Sequence, residues 1–415
     1  MKRSPSALRR GQPVWLAERE GDSTRRYPSL RGRRTCDVVI VGGGITGALV
    51  AETFAAEGIA VTVLESQGVG CGSTVASSAL LLQEPDQGLA QLTRRYGRAA
   101  SERIWQLGQE AVRDLTARLR RHRIACDLVN RDAIYFATTA DAVRRLRSEW
   151  QIRQRVGFEG DWLTPGALRT VTAVPGRGAI RTRGNAQFNP LKACRGLMQV
   201  AAAAGADVFE RSPVTRIHHA GDRVRVHTRS GHVDASRVVI ATGYATQHFR
   251  PLAGRFRMYR TYVLATAPLS ITERRDLGIG DVMLWDTERP YHYARWTAEH
   301  RLLLGGADRP VRRGGRRRVL FESATGELRG DFESMLPALA SIDVEHAWEG
   351  LFAMTPDSLP YIGPHRRYPR HLFALGYGGN GMTFGLLAAR LLLERWQGQM
   401  SPEHRLFEFD RAERW

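Results

Sequence analysis

Three observations predict a mixed α/β chain. A short β-branched run, Asp37 to Val41, breaks abruptly into Gly42-Gly43-Gly44-Ile45-Thr46-Gly47 and then a helical stretch. A second apolar run, Arg237 to Ala241, also ends on glycine, at Thr242-Gly243. Between Tyr259 and Ala307 the pattern changes to alternation, with Tyr291, Tyr293 and Arg295 on one face and His292, Ala294 and Trp296 on the other, as in an antiparallel sheet.

Taken in order, residues 1–35 are polar, Arg-rich and aperiodic, and are expected to form a basic tail that lies on the surface or is partly disordered. Asp37 to Val41 has no polar alternation, so it suits a parallel strand buried on both faces. The helical composition of Ile45 to Glu57 and the β-branched run Ile59 to Leu64, closed by Glu65, complete a strand, turn, helix, strand unit. Leu92, Tyr96, Ile104, Leu107, Ala111, Leu115 and Leu119 recur at helical spacing and predict one long helix over 89–121, broken near Gly97. Further strands are expected at 133–137, 207–217 and 223–227, and helices at 140–155 and 189–205.

Composition limits what such a chain does. With 43% hydrophobic residues over 415 positions, it can bury a core without metal or disulfide staples, which excludes wholesale disorder. The net charge of +19 suggests an acidic partner at first sight, but lysine occurs only at Lys2 and Lys192, so the charge reflects an arginine bias scattered over every segment. The runs Arg31 to Arg34 and Arg312 to Arg318 read as solvated loops, and no nucleic-acid partner is expected. Cys36, Cys71, Cys126 and Cys194 form no metal-binding pair, so buried thiols in a reducing compartment and no metal are expected. No apolar stretch reaches the ~20 residues of a transmembrane segment. Glu18, Glu20 and Asp22 stand where a signal peptide would be apolar, which makes a cytoplasmic location the default expectation.

The chemistry is concentrated in Gly42-x-Gly44-x-x-Gly47, placed after a strand and opening a helix. Gly42 permits the tight turn, Gly44 lets the backbone approach a pyrophosphate, and Gly47 allows close helix–strand packing. The helix N-terminus offers N–H donors to phosphate. Glu65 ends the next strand, where a carboxylate accepts hydrogen bonds from ribose hydroxyls. A dinucleotide site in a Rossmann-like domain follows.

Three more segments specify which dinucleotide: Gly70-Cys71-Gly72-Ser73-Thr74, Val238-Val239-Ile240-Ala241-Thr242-Gly243, and Thr355 to Gly363 followed by Gly376-Tyr377-Gly378-Gly379-Asn380-Gly381-Met382-Thr383. In these motifs and their order, over roughly residues 36–400, the chain resembles the D-amino-acid oxidase-like family of FAD-dependent oxidoreductases, nearest its γ-glutamylputrescine oxidase-like branch. The resemblance implies a Rossmann-like FAD-binding domain over 36–115, 170–260 and 346–415, and a discontinuous antiparallel-sheet substrate domain over 116–169 and 261–345. It implies FAD contacts at Gly42, Gly44, Ile45, Thr46, Gly47, Glu65, Ser66, Gly72, Ser73, Thr74, Val214, Thr242, Gly243, Gly378, Gly379, Asn380, Gly381, Met382 and Thr383.

The departures matter as much. No Cys precedes the C-terminal motif between Trp348 and Met354, and no His lies between Ser66 and Gln87, so the family's covalent attachment points are missing and noncovalent FAD is expected. Where the family's amino-acid oxidases hold the substrate carboxylate with an arginine, this chain has Phe352; Arg295, beside Tyr293 and Tyr291, is the candidate to substitute. The family lysine that promotes reaction with oxygen has no counterpart, since Lys192 belongs to a different helix. The implied reaction is oxidation of a C–N bond of an amine or amino acid, by hydride transfer to flavin N5 and hydrolysis of the imine, with O2 or another electron acceptor. Polyamine-derived amines are the expected substrates. A 2-hydroxy-acid or glycerol-phosphate-type dehydrogenase using His292 or His346 as base is the alternative, followed by an RNA-modifying flavoprotein.

Overall fold

The computed structural model describes residues 9–17, 26–312 and 317–411. Lys2, Arg3 and the Arg313 to Arg316 part of the second basic run lie outside the described residues. Two sheets organise the chain.

The first sheet runs in the order Tyr361–His365, Tyr368–Leu375, Gly231–Gly243, Gly32–Val41, Val61–Leu64, Asp207–Phe209. Its central strands are parallel, with Val39 opposite Thr62 on one side and Val238 on the other. Val38, Val39 and Ile40 are completely buried, as an apolar strand without alternation requires. The helix Ile45–Ala56 is almost wholly buried and packs between the helices Pro190–Ala203 and Gly381–Trp396. The expected strand over 207–217 is two strands. Arg211 takes a positive φ of 49° and Pro213 cannot donate to a ladder, so Arg216–Ala220 turns away to pair antiparallel with Arg223–His227.

The second sheet runs Arg9–Gly11, Val344–Met354, Arg257–Thr266, Leu302–Pro310, Tyr293–Trp296, Val282–Asp286, Val129–Phe136, Ala179–Gln187, Leu80–Leu81, and is antiparallel except where Val282–Asp286 meets Val129–Phe136. Ala179–Gln187, from the segment 170–260, and Val344–Met354, most of which belongs to 346–415, both pair in this sheet. Strand ownership is decided by long-range pairing, and local pattern does not carry it. The basic tail is corrected in part: Arg9–Gly11 pairs with Trp348–Gly350, and Val14 and Trp15 are buried, with Trp15 Nε1 donating to the Ser77 carbonyl at 2.9 Å. The long helix Leu89–Arg121 is broken as expected at Gly97, whose φ is 75°. No helix among the described residues is long and apolar enough to cross a membrane.

Burial controls the thiols. It pushes Cys36 up to about 11 and Cys126 up to about 12, and raises Cys194 further, while Cys71 alone is partly exposed. At pH 8 the native protein is therefore expected to release at most one equivalent of thionitrobenzoate from Ellman's reagent quickly, and four after denaturation. Fast reaction of two or more native thiols would contradict this packing.

Candidate active site

The glycine turn is built as its spacing requires. Gly42 has a φ of 112°, and a Cβ there would lie 2.6 Å from the Ala241 carbonyl oxygen, so only glycine lets the first strand pass the neighbouring one. A Cβ on Gly47 would fall 1.9 Å from the Gly42 oxygen, which fixes the close contact of helix and turn. Gly44 differs: a Cβ there would meet only Thr74 Oγ1, at 3.1 Å, and its backbone is extended. It leaves open a cradle at the N-terminal end of Ile45–Ala56.

The segment Gly70 to Thr74 closes that cradle. Thr74 Oγ1 accepts the Ile45 N–H at 2.9 Å, and Ser73 Oγ donates to the Leu351 carbonyl at 2.7 Å, which ties the loop to the strand Val344–Met354. Glu65 accepts from the Gly43 N–H and the Gln67 N–H, both at 2.7 Å, and from Ser66 Oγ at 3.1 Å. Burial raises its pKa, and these hydrogen bonds oppose the rise. A carboxylate has about four acceptor positions, so one remains open for a hydroxyl.

All the expected cofactor residues except Gly47 and Thr383 line one cavity of about 1580 Å³. Gly47 lies beneath the turn. Thr383 is buried and spends its hydroxyl on the Leu82 carbonyl at 2.8 Å. Thr242 donates to the Tyr244 carbonyl at 2.8 Å, and the Val214 carbonyl faces His248 Nε2 at 3.3 Å. Gly378 to Gly381 opens the helix Gly381–Trp396, so a second helix N-terminus reaches the cavity. The volume exceeds that of an ordinary small-ligand pocket. An open glycine cradle at one helix start, a carboxylate at the adjoining strand end and a second helix start farther along fit an extended dinucleotide such as FAD.

Beyond the second helix start the cavity ends among Thr261, Trp285, Tyr291, Tyr293, Asp308 and Phe352. Phe352 stacks on Tyr259 with ring centroids 5.7 Å apart, so the position lacking the carboxylate-binding arginine is an aromatic wall. Tyr293 is at the site as expected, its Oη 3.1 Å from Thr261 Oγ1. Arg295 is not. Its guanidinium lies over the Trp15 ring and donates to the carbonyls of Ser78, Trp296 and Phe188, so it fastens backbone behind the wall and does not reach the cavity. Strand alternation placed it on the correct face, but the buried Trp15 that covers it comes from the tail.

His292 is held between Asp286 and Asp331, at 2.8 and 3.2 Å, and neither it nor His346 lines the cavity. Lys192 pairs with Asp127 at 2.8 Å, also outside it. Sequence reasoning missed Asp86 and Asp308. Asp86 accepts from the Gly379 N–H at 2.9 Å and from Asn380 Nδ2 at 3.1 Å, and burial pushes it up to about 6. Asp308 lies beside Thr261, which lowers its pKa, but burial outweighs this and pushes it up to about 7, and its Oδ1 has no hydrogen-bond partner. A lone acid ending the apolar run Leu302 to Ala307 was the available signal for Asp308. Asp86 sits in Glu84-Pro85-Asp86-Gln87-Gly88, which reads as an ordinary turn.

Comparison with known proteins agrees with this geometry. The family model described as FAD dependent oxidoreductase (DAO) matches residues 37–395. The chain is 28% identical over 385 residues to the γ-glutamylputrescine oxidoreductase of Escherichia coli strain K12, covering 90% of this chain and 86% of that protein. It is also 28% identical over 368 residues to the glycine oxidase of Bacillus licheniformis, covering 87% and 93%. Among solved structures, the glycine oxidase from Geobacillus kaustophilus superposes with a TM-score of 0.73 at 22% identity, over 89% of this chain and 96% of that one.

Proposed function

Since the chain belongs to the FAD-dependent oxidoreductase family, we propose that it oxidises the C–N bond of an amine or amino acid, with FAD held noncovalently by the residues lining the glycine cradle. The observation that carries this reading is the far end of the cavity, where two half-buried carboxylates, Asp86 and Asp308, stand among the side chains of Tyr291, Tyr293, Trp285 and Phe352. Carboxylate and aromatic faces together attract a nitrogen cation. Hydroxy-acid oxidation calls for a base and anion-binding arginines, and the only histidine among the described lining residues is His248, beside Val214.

The chemistry that bound FAD would supply is that of a hydride acceptor. The chain's own residues orient and desolvate. The aromatic walls exclude water from the reacting C–H bond. Asp86, fixed by Gly379 and Asn380, holds the glycine loop in place, and the N-terminus of Gly381–Trp396 favours negative charge beside it. Loss of hydride from carbon leaves a C=N bond, and water converts this iminium to a carbonyl compound and the free amine or ammonia.

The test is anaerobic mixing of the FAD-loaded protein with amines, polyamine derivatives, amino acids and 2-hydroxy acids, followed by flavin absorbance. Amines or amino acids are expected to bleach it. Rapid recovery with peroxide on admitting air identifies O2 as acceptor, and no recovery identifies a dehydrogenase. Bleaching by hydroxy acids alone would sink the reading.

A further inference from the structure

Resting on the C–N reading above, we propose that Asp308 is the residue that receives the substrate's cationic nitrogen, and that the substrate is an amine with no carboxylate beside that nitrogen. Asp308 does not follow the regular alternation of its strand. In the pairing of Leu302–Pro310 with Arg257–Thr266, Tyr262 stands opposite Gly306 and Arg260 opposite Arg309, so Thr261 alone faces both Ala307 and Asp308. The extra residue is a bulge, and Ala307 is held at a positive φ of 53° to make it. A bulge re-aims a side chain, and here it places Asp308 on the cavity wall beside Thr261.

Asp86 already has both oxygens occupied by the glycine loop, whereas Asp308 Oδ1 is buried without a partner. An unmet acceptor in a buried site is costly, and an N–H cation satisfies it by charge and hydrogen bond together. Tyr291 and Tyr293, close beside it, add their ring faces. The charged lining groups at this end are Glu84, Asp86, Asp308 and Arg289; Glu84 is paired with Arg153 at 2.7 Å, Arg289 is exposed at the rim, donating to the Glu288 carbonyl and lying over the Tyr291 ring, and His292, behind the wall, is occupied by Asp286 and Asp331. A carboxylate next to the nitrogen would bring a third negative charge against the two acids, without the buried arginine fork that would hold it. The cation binds first, its proton then passes to the Asp308 carboxylate, and the neutral amine left beside it is the species oxidised.

The experiment uses the FAD-loaded protein and two probes of one shape. tert-Butylammonium has no hydrogen on the carbon bearing nitrogen and cannot be oxidised, and pivalate is its carboxylate counterpart. By calorimetry the wild type is expected to bind tert-butylammonium in preference to pivalate. Asp308→Asn, with its FAD content verified by absorbance, is expected to weaken the cation on the order of 30-fold, and Asp308→Glu to retain it within a few-fold. No cation binding by the wild type, equal binding by Asp308→Asn, or a preference for pivalate would overturn the proposal. Should Asp308→Asn fail to fold, the wild-type preference and Asp308→Glu decide. Amines that bleach the flavin alongside an unaffected Asp308→Asn would leave C–N oxidation standing and remove Asp308, while cation binding without bleaching by any amine would do the reverse.

Discussion

Gly44→Val is expected to give a folded protein that no longer retains FAD. Gly44 has an extended backbone, φ −75° and ψ −175°, which any residue adopts, so the substitution introduces no backbone strain. The nearest atom to its new Cβ is Thr74 Oγ1 at 3.1 Å, and the valine methyls project into the cradle at the helix start. Phosphate oxygens must approach that backbone closely to reach the N–H groups. A loss of FAD affinity on the order of 100-fold, about 2.8 kcal/mol, is expected, with an unchanged circular dichroism spectrum and urea midpoint for the apoprotein. Retention of flavin through gel filtration at the wild-type ratio would contradict the cradle. Gly47→Ala is the contrasting control: its Cβ would sit 1.9 Å from a backbone oxygen, so it is expected to damage the fold itself.

Arg411→Ala is expected to be the most destabilising single substitution proposed for this chain, by about 3–5 kcal/mol. Arg411 is fully buried, its Nε and Nη2 donating to the two oxygens of Asp357 at 2.7 and 2.8 Å, and its Nη1 to the Pro360 carbonyl at 2.8 Å. Tyr96 of the long helix donates to the same carboxylate, and the guanidinium lies over the Tyr361 ring. Removing the arginine leaves the Asp357 charge buried without its counter-ion, with only the Tyr96 and Thr355 hydroxyls and the Leu359 N–H as donors. The pH dependence has a definite sign. Burial pushes the Asp357 carboxyl up, but Arg411 and Tyr96 outweigh it and hold the group well below the ordinary carboxylate range. A depressed folded-state pKa gives stability that is present above the unfolded value, about 3.9, and is lost as pH falls through the folded one. Urea midpoints measured from pH 7 down to pH 2 should therefore fall in acid for the wild type, and less steeply for Asp357→Asn. Parallel curves would remove Asp357 from the acid response.

These two sites show what the sequence discloses and what it does not. The glycine turn and Glu65 are short-range patterns whose spacing follows directly from phosphate and ribose binding, whereas the Gly378 to Met382 loop was legible only through the family resemblance. The kink at Gly97 was legible as a local pattern, since one residue without a Cβ interrupts a 3.6-residue period. Arg9–Gly11 was not, because three residues of Arg-Arg-Gly have no β pattern and pair only through the backbone of Trp348 to Gly350. Arg295 was misread on account of Trp15, which is 280 positions earlier and covers it. Asp308 needed the bulge, which depends on the register of two strands and leaves no mark in either alone.

The hydrogen bond from Ser73 to Leu351 joins residues 278 positions apart. A ribosome makes the glycine cradle early and the strand that secures its loop much later, and the second helix start at Gly381 later still. A nascent chain that has emerged only through the first Rossmann unit therefore presents a cradle with one side missing. Cofactor loading is accordingly an event of the completed polypeptide.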